Sequence, residues 1–330
     1  MSSTSPAPRA RPTRDRLILA ALVVLLLVGL AGLAGGTGWS EISAQIARIE
    51  AWQIGALLGL SLLNYLFRAL RWHVFARRLG LRTSIHRNIL HFIGGFAMSV
   101  TPGRVGELVR MRWLYRETGW SFERTAPLAL IDRASDLAAM GILLAIALSL
   151  SATGIAGGLP VTLLALTGAF VATRPALLSG IATGLHRLTG RFARLMVRLR
   201  RAARALARFS NPTIIGAATM LGLVGWLAEG LSFHLLLVWL GHDIGLAKAI
   251  AIFIFATLAG GLTGAPGGLG GAEAAMIALL SLEGVPLAVS VPATAIIRLT
   301  TLWFAIALGL VAFPVAERIS RKAAHALEDH

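Results

Sequence analysis

The sequence predicts an all-α polytopic integral membrane protein. It comprises two inverted-topology repeats, each with a re-entrant broken-helix hairpin, or about six full spans plus two hairpins. Three observations carry this. The 330 residues are 56% hydrophobic with a mean hydropathy of +0.75, too apolar for a soluble chain of this length. The apolar runs are continuous and of spanning length, unlike the roughly ten-residue alternating segments of an outer-membrane barrel. The stretch GGFAMSVTPGRVGE at 94–107 also has an echo, GGLTGAPGGLGGAE, at 260–273, and neither reads as an ordinary spanning helix.

Charge and cysteine usage narrow the function classes. The net charge is +16, carried almost wholly by arginine, with Lys248 and Lys322 the only lysines. In a chain this apolar, such an excess marks cytoplasmic loops rather than nucleic-acid binding. Cysteine is absent, which excludes disulfides, thiolate metal sites and cysteine nucleophiles. The histidines (His73, His86, His91, His186, His234 and His242 among them) show no HxxxH spacing, so neither metal nor cofactor is expected.

The elements follow in order. Residues 1–16 are polar, Pro-rich and basic, a disordered cytoplasmic terminus. A single transmembrane domain then covers 17–316, opening with a span at 17–34 that is too long for a cleaved signal peptide. Residues 52–75 form the second span, with Trp52 and Trp72 as interface anchors and Arg68 and Arg71 inside it. Residues 88–101 make only about 21 Å of helix, short of a core about 30 Å thick. The leg after Pro102 and Gly103 is short too. A re-entrant hairpin entered from the cytoplasm fits, because broken backbone is tolerated where it lines a cavity.

Residues 126–150 span outward and carry Asp132, Arg133 and Asp136; residues 159–173 return. Segment 174–210 sets arginines every three to four residues between leucines, an amphipathic helix on the inner membrane surface. Residues 211–240 span outward with Glu229, 249–265 and 272–282 form the second broken pair, and 289–313 return with Arg298. Residues 317–330 are a cytoplasmic tail. In this topology Arg48 and Lys248 are the only basic residues in outside loops.

The halves, about 52–150 and about 211–313, align at an offset of 161 to 166 residues. Arg68 sets against Glu229, His73 against His234, Pro102 and Gly103 against Pro266 and Gly267, Glu107 against Glu273, and Arg133 against Arg298. The first copy begins on an inward span and the second on an outward one, so the repeat is inverted. Inverted repeats with discontinuous helices are a transporter signature, with substrate held near the midplane.

A second-leg helix starting at each Pro-Gly break would aim orphan N–H groups and a positive dipole end into the cavity, favouring a phosphate or carboxylate. Gly103, Gly106, Gly267, Gly268, Gly270 and Gly271 would let a ligand approach the backbone, or equally let helices pack tightly. Intramembrane ionisable residues are functional candidates by default. The substrate-binding candidates are therefore Arg68, Arg104, Glu107, Asp132, Arg133, Asp136, Glu229, Glu273 and Arg298, with Pro102, Gly103, Gly106, Pro266, Gly267, Gly268 and Gly270 at the tips. Arg133 and Arg298 suit bidentate phosphate contact. Glu107 and Glu273 either pair with those arginines or meet the substrate. Asp132 and Asp136, one turn apart, either serve the site or neutralise Arg133 and nearby loop arginines. No nucleophile elbow, Walker loop or DxD-type site is present, so no enzyme is expected.

On the FRALRW, TPGRVGE, IDRASDL and PGGLGGAE motifs and the span of Arg298, the chain resembles the flippase domain of the lysylphosphatidylglycerol synthases, the multiple peptide resistance factors, over about residues 15–318. The resemblance implies lipid translocation across the bacterial inner membrane by a stand-alone member without the aminoacyl-transferase domain. Expected partners are anionic-headgroup membrane lipids, a lipid-modifying enzyme and a second copy in a homodimer. The alternative is a non-transporting subunit that docks such an enzyme or a glycosyltransferase through 174–210.

Overall fold

The computed structural model of the chain describes residues 49–99, 106–151, 154–174 and 211–328, with Ala47, Thr101, Leu177, Gly180 and Phe209 as single positions. The expected span at 17–34, most of segment 174–210, and the tip residues Pro102, Gly103 and Arg104 lie outside the described residues.

The described chain is helical throughout, without strands, as expected. The helices are α1 (Ala51–Leu79), α2 (Ile85–Gly94), α3 (Gly106–Thr118), α4 (Phe122–Leu150), α5 (Gly158–Thr173), α6 (Pro212–Trp239), α7 (Leu246–Leu262), α8 (Gly271–Leu282), α9 (Leu287–Arg298) and α10 (Phe304–Glu328). Among the described residues four helices are long and apolar enough to cross a membrane: α1, α4, α6 and the continuous run Leu287–Ala324. Helices α5, α7 and α8 are apolar but shorter.

Local chemistry sets the ends. Glu50 and Gln53 form a reciprocal capping box at the start of α1, and Gly80, with φ of 101°, closes it. Ser84 Oγ accepts from Arg87 N ahead of α2. Asn211 accepts from Thr213 N, and Pro212 occupies the first turn of α6.

Both stretches leave the α-helix, in different detail among the described residues. The first leg passes from α2 into a 3-10 turn, Gly95–Met98, and the chain is helical again from Gly106. In the second, Pro266 does not open the following helix. It begins a short 3-10 turn, Pro266–Gly268, and α8 starts only at Gly271. The reason is local: Gly267, Gly268 and Gly270 have φ of 64°, 69° and 80°, which right-handed helix cannot absorb.

Helix α1 packs on α6, α4 packs on α5, α6 and α7, and α10 packs on α2, α3 and the 3-10 turn between them. Without a strong hydrophobic drive in lipid, small residues allow such contacts. A methyl added at Gly309 of α10 would lie 2.3 Å from Ala97 N, and one at Gly106 would lie 2.3 Å from Gly95 O. The second broken pair is also close, with a methyl at Gly260 falling 3.0 Å from Ala272 N. At the far end of α10, Arg112, Arg116, Arg321 and the Trp113 indole converge on Glu317 and tie α3 to it.

Between α9 and α10 the helix widens into a π turn, Leu299–Trp303. The Thr301 carbonyl there accepts the Tyr65 hydroxyl of α1. Such turns often mark functional positions.

Candidate functional site

A cavity of about 520 Å³ lies where α1, α4, α6 and α9 meet the two broken pairs. Ser99, Gly106 and Glu107 line it from the first pair; Gly261, Leu262 and Gly267 line it from the second. Its volume suits a small ligand or the polar end of a larger one.

One wall is charged. Arg71, wholly buried, places Nη2 2.6 Å from Asp132 Oδ1 and 2.7 Å from Asp136 Oδ1. Arg68 Nη2 lies 2.8 Å from Asp136 Oδ2, and the Trp226 indole N–H donates to Asp136 Oδ1 at 3.2 Å. Arg133 stands 2.9 Å from Glu107 Oε1, 3.1 Å from Asp132 Oδ2 and 3.4 Å from Asp136 Oδ2. The two aspartates therefore neutralise Arg133 and also bind Arg68 and Arg71 of α1. On the other side Arg298 donates from Nε to Glu273 Oε1 at 2.6 Å and from Nη2 to Gly267 O at 2.9 Å. The tip of the second pair turns a carbonyl, not an N–H, toward this arginine.

The opposite wall is apolar. Val161, Leu164 and Ala165 of α5 face Leu258 and Leu262 of α7. Leu164 and Leu262 are 55% and 65% exposed, so this wall continues onto the outer surface of the bundle.

Of the sequence candidates, Arg68, Gly106, Glu107, Arg133, Asp136, Glu229, Gly267 and Arg298 line the cavity. Asp132 and Glu273 stand behind it, paired to its arginines. Gly268 is occupied by packing, its Cβ position 3.1 Å from Gly260 C. Gly270 caps α8, and Pro266 opens the 3-10 turn.

Sequence reading missed Arg110. Its side chain is buried and lies over the Phe92 ring at 4.1 Å. Nη2 donates to Phe92 O at 2.9 Å, while Nε and Nη1 have no partner. Among the described residues no carboxylate pairs with it, yet it lines the cavity. A methyl at Gly95 would fall 2.3 Å from Arg110 Nε, so glycine there makes room for the guanidinium. The available signal was spacing: Arg110 is one helical turn beyond Glu107, on the same face. Arg71 was legible the same way, one turn from Arg68.

Some contacts of the first half recur in the second at a matching sequence offset. The Glu107–Arg133 and Glu273–Arg298 pairs match at offsets of 166 and 165 residues. Tyr65 and Trp226, 161 apart, cross over: Tyr65 bonds Thr301 and Trp226 bonds Asp136, positions themselves 165 apart. The match fails at Arg68 and Glu229, and at Arg71, whose counterpart is Ser232. Among the described residues no cluster of His, Asp or Glu is arranged to hold a metal ion.

Long apolar helices around a charged, half-apolar cleft define a multi-pass helical membrane protein. The chain belongs to the family described as the lysylphosphatidylglycerol synthase TM region, whose family model matches residues 17–309. Two relatives from Methanothermobacter thermautotrophicus, each called a UPF0104 membrane protein, are similar to parts of it. One is 33% identical over 103 residues, 31% of this chain and 31% of the relative. The other is 38% identical over 89 residues, 27% of this chain and 26% of the relative. The chain thus matches less than a third of the length of these curated relatives.

Proposed function

We propose that the protein is a non-enzymatic flippase that moves an anionic or phosphate-bearing lipid, of phospholipid, glycolipid or hopanoid type, across the bacterial inner membrane. Both termini are cytoplasmic in this reading, and the two broken pairs are re-entrant hairpins of an inverted repeat that hold the headgroup between their tips. The observation that carries it is Arg110. A buried guanidinium with two unpartnered nitrogens, in a cavity with an apolar flank, is matched by an acidic headgroup attached to acyl or polycyclic chains. The headgroup would meet Arg110, and the chains would leave along Leu164 and Leu262. Buried charge left without a counter-ion is expensive, which is why a ligand anion would be favoured there.

Reconstitution tests this. Purified full-length protein in phosphatidylcholine vesicles containing fluorescent phosphatidylglycerol should expose the label to an external quencher faster than empty vesicles. Replacing Arg110 by Met keeps most of the packing and removes the charge. Loss of a charge-assisted hydrogen bond worth about 1.5–3 kcal/mol should slow transfer by about ten- to a hundredfold. Wild-type protein that moves no labelled lipid, or a folded Arg110→Met variant at the wild-type rate, overturns the reading.

A further inference from the structure

The geometry points to Glu229 as a proton-binding site, and to a proton that crosses together with the headgroup. This rests on the transport reading above.

The case begins with the pairing of charges. Among the described residues, the cavity and the layer behind it hold the cations Arg68, Arg71, Arg110, Arg133 and Arg298 against the carboxylates Glu107, Asp132, Asp136, Glu229 and Glu273. Each carboxylate but one is held by an arginine: Glu107 by Arg133, Asp132 and Asp136 by Arg71, and Glu273 by Arg298. Glu229 is 5% exposed and lines the cavity. Among the described residues no hydrogen bond or ion pair reaches it.

The repeat explains why. On α1 a second arginine, Arg71, follows Arg68 by one turn and neutralises the aspartates. At the matching position on α6 stands Ser232, whose buried hydroxyl is itself unpartnered. The second half thus carries the acid without the cation.

The groups that act on Glu229 from neighbouring elements are Tyr65 and Arg68 on α1, Asp136 on α4 and Arg298 on α9. Arg68 is committed to Asp136, and Arg298 to Glu273 and the Gly267 carbonyl. Helix α7 adds no titratable group except Lys248, which pairs with Glu283. An isolated carboxylate in such a site takes up a proton rather than stay charged and unpaired.

The arithmetic then links proton to ligand. With Glu229 ionised, the five cations meet five carboxylates and the site is neutral. With a proton on Glu229, one positive charge is in excess, which one phosphodiester monoanion balances. The proton passes from water to a Glu229 carboxylate oxygen and returns to water on the other side. Transfer of one monoanion with one proton moves no net charge.

Two measurements on the full-length protein decide this. Infrared difference titration should show a protonated-carboxyl band that titrates in the wild type, is absent from Glu229→Gln and returns, shifted, in Glu229→Asp. A wild type without a Gln-sensitive band overturns the proton site. Vesicles of phosphatidylcholine with fluorescent phosphatidylglycerol should, at an imposed difference of one pH unit, reach about a tenfold asymmetry of label. Glu229→Gln should abolish that asymmetry. Label that moves in the wild type but stays symmetric overturns the coupling and leaves the flippase reading standing. If no label moves, the transport reading fails and the coupling with it, while the infrared titration still decides whether Glu229 holds a proton.

Discussion

Arg298 reaches across to Glu273 with its Nε 2.6 Å from Oε1, and with Nη2 holds the carbonyl of Gly267 at 2.9 Å. One side chain thus fixes both the helix that follows the second break and the tip of the break itself. Glu273→Gln should therefore loosen the tip. The expected loss is about 2 kcal/mol, the worth of a charged hydrogen bond. It should appear as a lower melting temperature in detergent and faster amide exchange at 264–272.

Arg71 gives a stronger prediction. It is wholly buried and serves Asp132 and Asp136 together. Arg71→Met leaves two carboxylates undercompensated and should cost about 3–5 kcal/mol. Adding Asp132→Asn should recover part of that loss. A double-mutant cycle on thermal stability reads the coupling directly.

The crossed aromatic bonds should behave as a matched set. Tyr65→Phe removes the hydroxyl that reaches the Thr301 carbonyl, and Trp226→Phe removes the indole N–H on Asp136. Each should lower stability by about 1 kcal/mol. If the two halves are braced independently, the double variant should lose the sum.

Glycine substitutions separate packing from permissive positions. Gly309→Ala puts a methyl 2.3 Å from the Ala97 backbone nitrogen and should abolish folded protein in size-exclusion profiles. Gly59→Ala, with nothing within 4 Å, should be neutral.

The sequence carried the class of fold plainly, because a membrane imposes it: apolar length and arginine placement leave little choice. It also carried the pairing of Glu107 with Arg133 and of Glu273 with Arg298 as one of two readings, through their constant offset. What it hid was partner choice. Asp136 is shared by Arg68, Arg71 and Trp226, which lie 68, 65 and 90 residues away in sequence, and no local pattern reports such convergence. Arg110 looked like one more basic residue in an arginine-rich chain until its missing counter-ion could be seen. The second leg falls within one residue of where the sequence put it, but the expectation that it opens at the Pro-Gly break fails, because three glycines with positive φ extend the turn beyond Pro266.

The joint at Gly95, Gly106 and Gly309 has a consequence for how this chain can change over time. There the first 3-10 turn is clamped between α3 and α10, with backbone or guanidinium atoms at 2.3 Å from each missing Cβ. Any single-codon replacement adds at least a methyl, so neutral drift is barred at these three positions while Gly55, Gly59 and Gly216, which face open space, are free to vary. Descendants of this sequence can alter the apolar flank of the cavity residue by residue, but they must inherit this joint whole.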